Sequence, residues 1–158
     1  MKTGFGKNMK NILLALHKDP DFEVVEASNG ITFGQDAFTP WESYGTLPND
    51  SNLISKVNEN AYRKRAANYG FYTIDKIVEL VKPDLFLGIE DAWAFKEYEK
   101  KPWWNKIKKV IWTTLDSLPI FEDALLLEPK CDKMLVWASF AEEAMKKKGF
   151  ESVSTVHG

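Results

Sequence analysis

The stretch Lys82-Pro83-Asp84-Leu85-Phe86-Leu87-Gly88-Ile89-Glu90-Asp91-Ala92-Trp93 decides the fold. Upstream, Ile74, Ile77, Val78 and Val81 fall at i, i+3, i+4 and i+7, the stripe of an amphipathic helix. Pro83 ends that helix, because the residue before a proline is pushed out of the α region. Leu85 to Ile89 is then apolar at every position, as a parallel strand covered on both faces must be. The run stops at two adjacent carboxylates. A buried parallel strand that releases acidic residues at its carboxyl end marks the usual place of a site in an open α/β sheet.

Outward from this stretch, the pattern of strands alternating with helices repeats. A helix follows Gly4-Phe5-Gly6, with Met9, Ile12, Leu13 and Leu16 on one face and Pro20 as its stop. Strands are predicted over 22–27, 85–89, 108–113, 133–138 and 152–156. Ser28-Asn29-Gly30 reads as the turn ending the first of them, and 31–52 as a long loop carrying Pro40, Gly45 and Pro48. One polar helical stretch is expected over 53–68, and short helices over 92–98 and 121–127. Ser139 reads as an N-cap with Glu142 as its capping-box partner. The expected fold is α/β: a Rossmann-like three-layer sandwich around a mainly parallel, five-stranded sheet, with Leu85–Ile89 central. A single domain over residues 1–158 is predicted. The glycine turn has only two residues before Thr3, and the chain stops just after a strand, so one half of a larger architecture is expected.

Composition bounds the function. The 158 residues are 44% hydrophobic and 28% charged, values of a globular chain with a real core. A net charge of −2 gives no electrostatic case for nucleic acid. No apolar run approaches the roughly 20 residues that span a bilayer, and the start lacks a secretory h-region. Cys131 stands alone, which excludes an internal disulfide. A cytoplasmic location is the expectation. Six tryptophans are unusual, and Trp41, Trp93, Trp103 and Trp104 fall in loop-like stretches. Such residues either cover core edges or meet a ligand.

Several residues could carry chemistry at the carboxyl edge of a parallel sheet. Gly4-Phe5-Gly6 precedes a helix N-terminus, where free N–H groups favour an anion, although a plain tight turn explains it as well. Glu90 or Asp91 could take a proton from a hydroxyl, hold sugar hydroxyls, or cap the helix near Ala92. Their adjacency points them in different directions. Asp116, Ser139 and His157 follow later strands and reach the same edge, with Ser139 better read as a cap. Lys100 to Lys109 mixes bases with Trp103 and Trp104, which suits a solvated loop first and an anionic membrane surface or a stacking platform second. No metal-ligand spacing and no nucleophile triad is present.

The order of these features resembles the amino-terminal half of a GT-B glycosyltransferase of the large retaining group called family 4. Thr3-Gly4-Phe5-Gly6 is similar to the family's opening glycine loop, and Lys82-Pro83-Asp84 into Leu85–Ile89 to its KPD-strand step. Val110 to Pro119 (VIWTTLDSLP) looks like the strand and Asp-containing loop that follow. Asp132 to Gly158 resembles the run that leads to the family's interdomain linker. Many members place a histidine after the central strand, where this chain has Glu90-Asp91.

The resemblance implies transfer of a sugar from a nucleotide-diphosphate sugar to an acceptor hydroxyl, with no metal or other cofactor. It makes this chain the acceptor-side domain, inactive without a carboxyl-terminal donor-binding domain. Glu90 and Asp116 would orient the acceptor. Gly4, Phe5, Gly6, Asp91, Trp93 and His157 would line the substrate and phosphate site. Expected partners are the donor, a sugar, lipid or polysaccharide acceptor, and the missing domain, with peripheral contact at the inner face of a membrane left open. The rival reading is a non-catalytic, flavodoxin-like α/β module that binds a ligand or a partner.

Overall fold

The computed structural model describes residues 4–157; Thr3 and Gly158 of the stretches quoted above lie outside them. The fold is α/β with parallel sheets, Rossmann-like in type. It has six strands among the described residues rather than five, in two sheets rather than one. The chain divides into two compact units, one containing residues 4–8 and 83–157 and the other residues 9–82.

The first unit is built on a four-stranded parallel sheet, in the order β3 (Leu85–Ile89), β4 (Lys108–Thr113), β5 (Lys133–Val136) and β6 (Val153–Thr155). Leu87 pairs with Val110, Ile111 with Met134, and Leu135 with Ser154. Each crossover moves the chain one strand along the sheet in the same direction. The connections comprise four 3₁₀ turns (Ala92–Phe95, Tyr98–Lys100, Trp104–Lys106 and Glu128–Lys130), the short α-helix Glu122–Leu127, and the α-helix Ser139–Lys147. The strand expected to be central, β3, is an edge of this sheet, with β4 its hydrogen-bonded neighbour.

The 3₁₀ turns fold a dense aromatic cluster against β3. Phe86, Phe95, Tyr98, Trp103 and Trp104 pack with ring centroids 5.5–6.4 Å apart. Gly88 makes room for them: a Cβ there would stand 2.6 Å from Phe95 Cζ and 2.7 Å from Ile111 Cδ1. Trp103 and Trp104 are buried, so the basic stretch around them presents lysines to solvent but not these indoles. An exposed stacking platform over 100–109 is therefore not formed by them.

In the second unit, β1 (Val25–Thr32) and β2 (Glu42–Leu47) form a parallel pair. The long loop expected over 31–52 thus contains a strand, hidden by its flanking prolines and by Gly45. Ser28-Asn29-Gly30 does not end β1. Ser28 pairs with Gly45 and Thr32 with Leu47, so three residues bulge against one, with Gly30 in the left-handed region at φ 77°. The expected single helix over 53–68 is two, α2 (Ser51–Asn58) and α3 (Ala61–Asn68), capped by Asp50 on Leu53 N–H and Asn60 on Arg63 N–H, each at 2.8 Å. α4 (Ile74–Val81) buries Ile74 and Ile77 as its stripe predicts. It stops at Lys82, left-handed at φ 49°, followed by Pro83. The interior is unusually polar: Glu26, Ser28, Thr46 and Thr73 are all buried. Thr73 Oγ1 donates to Thr46 C=O at 2.7 Å, tying α4 to β2, and Trp41 Nε1 donates to Glu26 Oε2 at 2.8 Å.

The capping box at Ser139 is absent. Ala138 is the N-cap residue of α6 (Ser139–Lys147), α5 being Glu122–Leu127, and no side chain caps it. Glu142 instead turns toward β6, where Oε2 accepts from both N–H and Oγ1 of Thr155 at 2.6 Å, while Oε1 accepts from Lys146. These bonds, Lys146 first, bring its carboxyl down to about 2. Asp132 is also lowered to about 2, chiefly by the N–H of Lys109 and then by the Lys108 and Lys109 ammonium groups. A depressed folded-state pKa adds stability that is complete above the ordinary carboxylate range and lost as pH falls toward 2. Melting temperatures recorded from pH 6 down to pH 2.5 are expected to fall less steeply in Asp132→Asn and Glu142→Gln than in the parent. Parallel curves would dismiss the linkage.

Cys131 precedes Asp132, its Sγ donating to Leu127 C=O at 3.3 Å. Burial raises its pKa to about 12. Alkylation by iodoacetamide at pH 8 should run at least roughly 10-fold slower in the native protein than in urea, since the thiolate is the nucleophile. Equal rates, followed by mass spectrometry, would contradict this.

Candidate functional site

Parallel strands bring their carboxyl ends to one rim, so the residues after Ile89, Thr113, Val136 and Thr155 gather there. Glu90 leaves β3 half-buried and already engaged by neighbours. Asp91 is the N-cap residue of the first 3₁₀ turn but makes no cap bond. Its Oδ1 accepts instead from Thr114 Oγ1 at 3.0 Å, which ties the exit of β3 to that of β4. Asp116, two residues beyond Thr114, is exposed on the loop this bond anchors. Trp93 is half-buried in the 3₁₀ turn.

The β5 and β6 side of the rim is aromatic. Trp112 and Trp137 pack at 5.2 Å, and the Phe5 ring meets Trp137 edge-on at 5.1 Å. Phe5 therefore lies against the rim, but Gly4-Phe5-Gly6 is no loop. α1 runs over Gly4–Lys18, and these residues form its first turn. A Cβ on Gly4 would meet nothing within 4 Å, so packing does not demand glycine there.

Trp112 Nε1 donates to Val156 C=O at 2.9 Å, and His157 Nδ1 lies 3.0 Å from Trp137 C=O. A carbonyl only accepts, so Nδ1 carries the proton in this contact. In the neutral ring Nε2 is then the acceptor, on an exposed side chain. Trp137 Nε1 is buried without a hydrogen-bond partner among the described residues. Thr114, Trp112 and Trp137 were not singled out as site residues from sequence, although each lies at or just beyond a strand's carboxyl end.

The rim thus offers an exposed carboxylate (Asp116), a second carboxylate (Glu90), an imidazole acceptor (His157) and an aromatic floor. Such a set can hold and orient hydroxyl groups. Among the described residues no group of three or more His, Cys, Asp or Glu side chains is placed to hold a metal ion. No helix among them is long and apolar enough to cross a membrane.

Two open grooves lie elsewhere. One, of about 290 Å³, sits at the amino ends of β3–β5 between Asp84, Lys106, Lys108 and Asp132. The other, of about 590 Å³, sits beside the amino ends of β1 and β2. No protein-family model and no curated protein matches this chain.

Proposed function

We propose that the chain is the acceptor-side domain of a GT-B, family 4-like glycosyltransferase. Such an enzyme moves a hexose-type unit from a nucleotide diphosphate to an acceptor hydroxyl. The observation that carries the reading is the convergence of Glu90, Asp116, His157 and Phe5 on one rim of a parallel sheet. The order of the four resembling stretches supports it. Asp116 and Glu90 hold the acceptor hydroxyl, and Asp91, through Thr114, positions the loop that carries Asp116. His157 Nε2 receives a hydroxyl hydrogen bond. In the transfer, the bond from the anomeric carbon to the diphosphate breaks, one to the acceptor oxygen forms, and the hydroxyl proton passes to the departing diphosphate oxygen. A donor-binding domain supplies the groups that stabilise the departing diphosphate.

The test uses the product of the complete gene with UDP-glucose, UDP-galactose, UDP-N-acetylglucosamine and GDP-mannose, scoring release of nucleoside diphosphate. Glu90→Ala and Asp116→Ala should each lower transfer by roughly 100-fold, the exposed Asp116→Ala without changing the melting temperature. Unchanged transfer would remove those two residues from the mechanism. No release from any donor would overturn the reading in favour of a non-catalytic ligand-binding module.

A further inference from the structure

The second unit carries charge of one sign over a long stretch. From Asp19 to Ser55 the chain has seven Asp and Glu residues and no Lys or Arg, although the whole chain is only −2. Three of these carboxylates, Asp19, Glu23 and Glu42, line the groove of about 590 Å³ beside the amino ends of β1 and β2, with Lys18 as its ammonium group. Asp19 accepts from the N–H of Asp21, and Glu42 from the Tyr44 hydroxyl, bonds that leave the negative charge in place. None of the three has an ion-pair partner among the described residues.

The same part of the unit exposes apolar side chains. Pro20, Phe22 and Pro40 lie exposed in the lining, Phe22 at 48%. Two residues before Pro40, Phe38 is 90% exposed, more than any other large apolar side chain described. It stands in the left-handed region at φ 55°, its N–H donating to Asp36 Oδ1 at 2.7 Å. Trp41 is buried in the core, so the rings on offer are those of Phe22 and Phe38. An exposed apolar group of this size gains from burial against a partner.

Charge decides what that partner is. The carboxylates repel nucleic acid and anionic bilayers. A polyamine would meet them but leave both phenyl rings in water. A polypeptide segment with cations and large apolar side chains satisfies both features. We propose that this surface docks a basic, apolar-bearing segment of a partner protein. Phe22 and Phe38 pack against its apolar side chains, and Asp19, Glu23 and Glu42 face its lysines or arginines. The surface lies within the second unit, and the proposal does not rest on the transfer reading.

The experiment measures fluorescence anisotropy of the labelled peptide KLKKWKKLK with the full chain at about 50 mM salt, where screening is weak. Two further probes are KGKKGKKGK, which keeps the charge without apolar groups, and ELEEWEELE, which inverts the charge. Saturable binding of the first is expected, at a Kd on the order of 10–100 μM. The glycine peptide should bind at least roughly 5-fold more weakly, and the acidic one not measurably. Phe38→Ala and Phe22→Ala should each weaken binding by roughly 3- to 10-fold, the first with an unchanged thermal melt. The double variant Asp21→Asn/Glu23→Gln should weaken it and flatten its salt dependence. Asp116→Asn, in the other unit, should leave it untouched. No binding of KLKKWKKLK, equal binding of the glycine peptide, affinity unaltered in both phenylalanine variants, or binding of the acidic peptide would overturn the proposal.

Discussion

Replacement of Gly45 by alanine is expected to unfold the β1–β2 pair. A Cβ at this position would lie 2.4 Å from the carbonyl oxygen of Thr32 and 2.5 Å from that of Ile31. Those atoms belong to backbone, which has no rotamer to retreat into. The contact exists because the bulge after Ser28 folds Ile31 and Thr32 back over Gly45 before pairing resumes at Leu47. Relief requires undoing the bulge, which would shift Thr46 from its bonds to Ser28 C=O and Asn68 C=O. Overpacking of even side-chain contacts costs about 1–3 kcal/mol. A backbone clash with loss of buried polar partners should exceed roughly 3 kcal/mol. Urea titration of the purified variant, read by circular dichroism, measures it. A loss below about 1 kcal/mol would mean that the bulge is not rigid.

The second large effect is expected from Trp104→Ala. Trp104 is 1% exposed, touches Phe86, Tyr98 and Trp103, and donates Nε1 to Lys130 C=O at 3.1 Å. Truncation removes a whole indole from a close-packed cluster and leaves a carbonyl short of a donor. A loss of about 3–5 kcal/mol follows for such a change. Trp104→Phe, which keeps a ring but not the N–H, should lose less. Equal losses for the two would assign the effect to the hydrogen bond rather than to the packing.

Where one physical signal dominates, sequence and structure agree. Leu85–Ile89 and Lys108–Thr113 have the predicted bounds; the first is an apolar run between a helix stop and polar residues, which has few other uses. The α4 stripe is equally plain. Two competing signals account for the misses. β2 reads ESYGTL, with a glycine and two flanking prolines, and its strand character comes from pairing with β1 rather than from its own side chains. Asn29-Gly30 marks a positive φ correctly, but a turn and a bulge need the same residue there. At the rim, Glu90, Asp91 and Asp116 followed from strand ends alone. The partnership of Asp91 with Thr114 did not, since it joins residues on neighbouring strands. Ser139 and Glu142 fit a capping box by spacing, yet Glu142 is claimed by Thr155, which no local pattern could reveal.

The four-stranded sheet has one further consequence, because its order in space is its order along the chain. During synthesis β3 leaves the ribosome first, and every later strand finds its neighbour already waiting beside it. Each step closes a loop of a few tens of residues at most, a small entropic cost that grows only slowly with length. The sheet can therefore lengthen by accretion as translation proceeds, with β6, three residues long, as the last piece laid down and the first to fray.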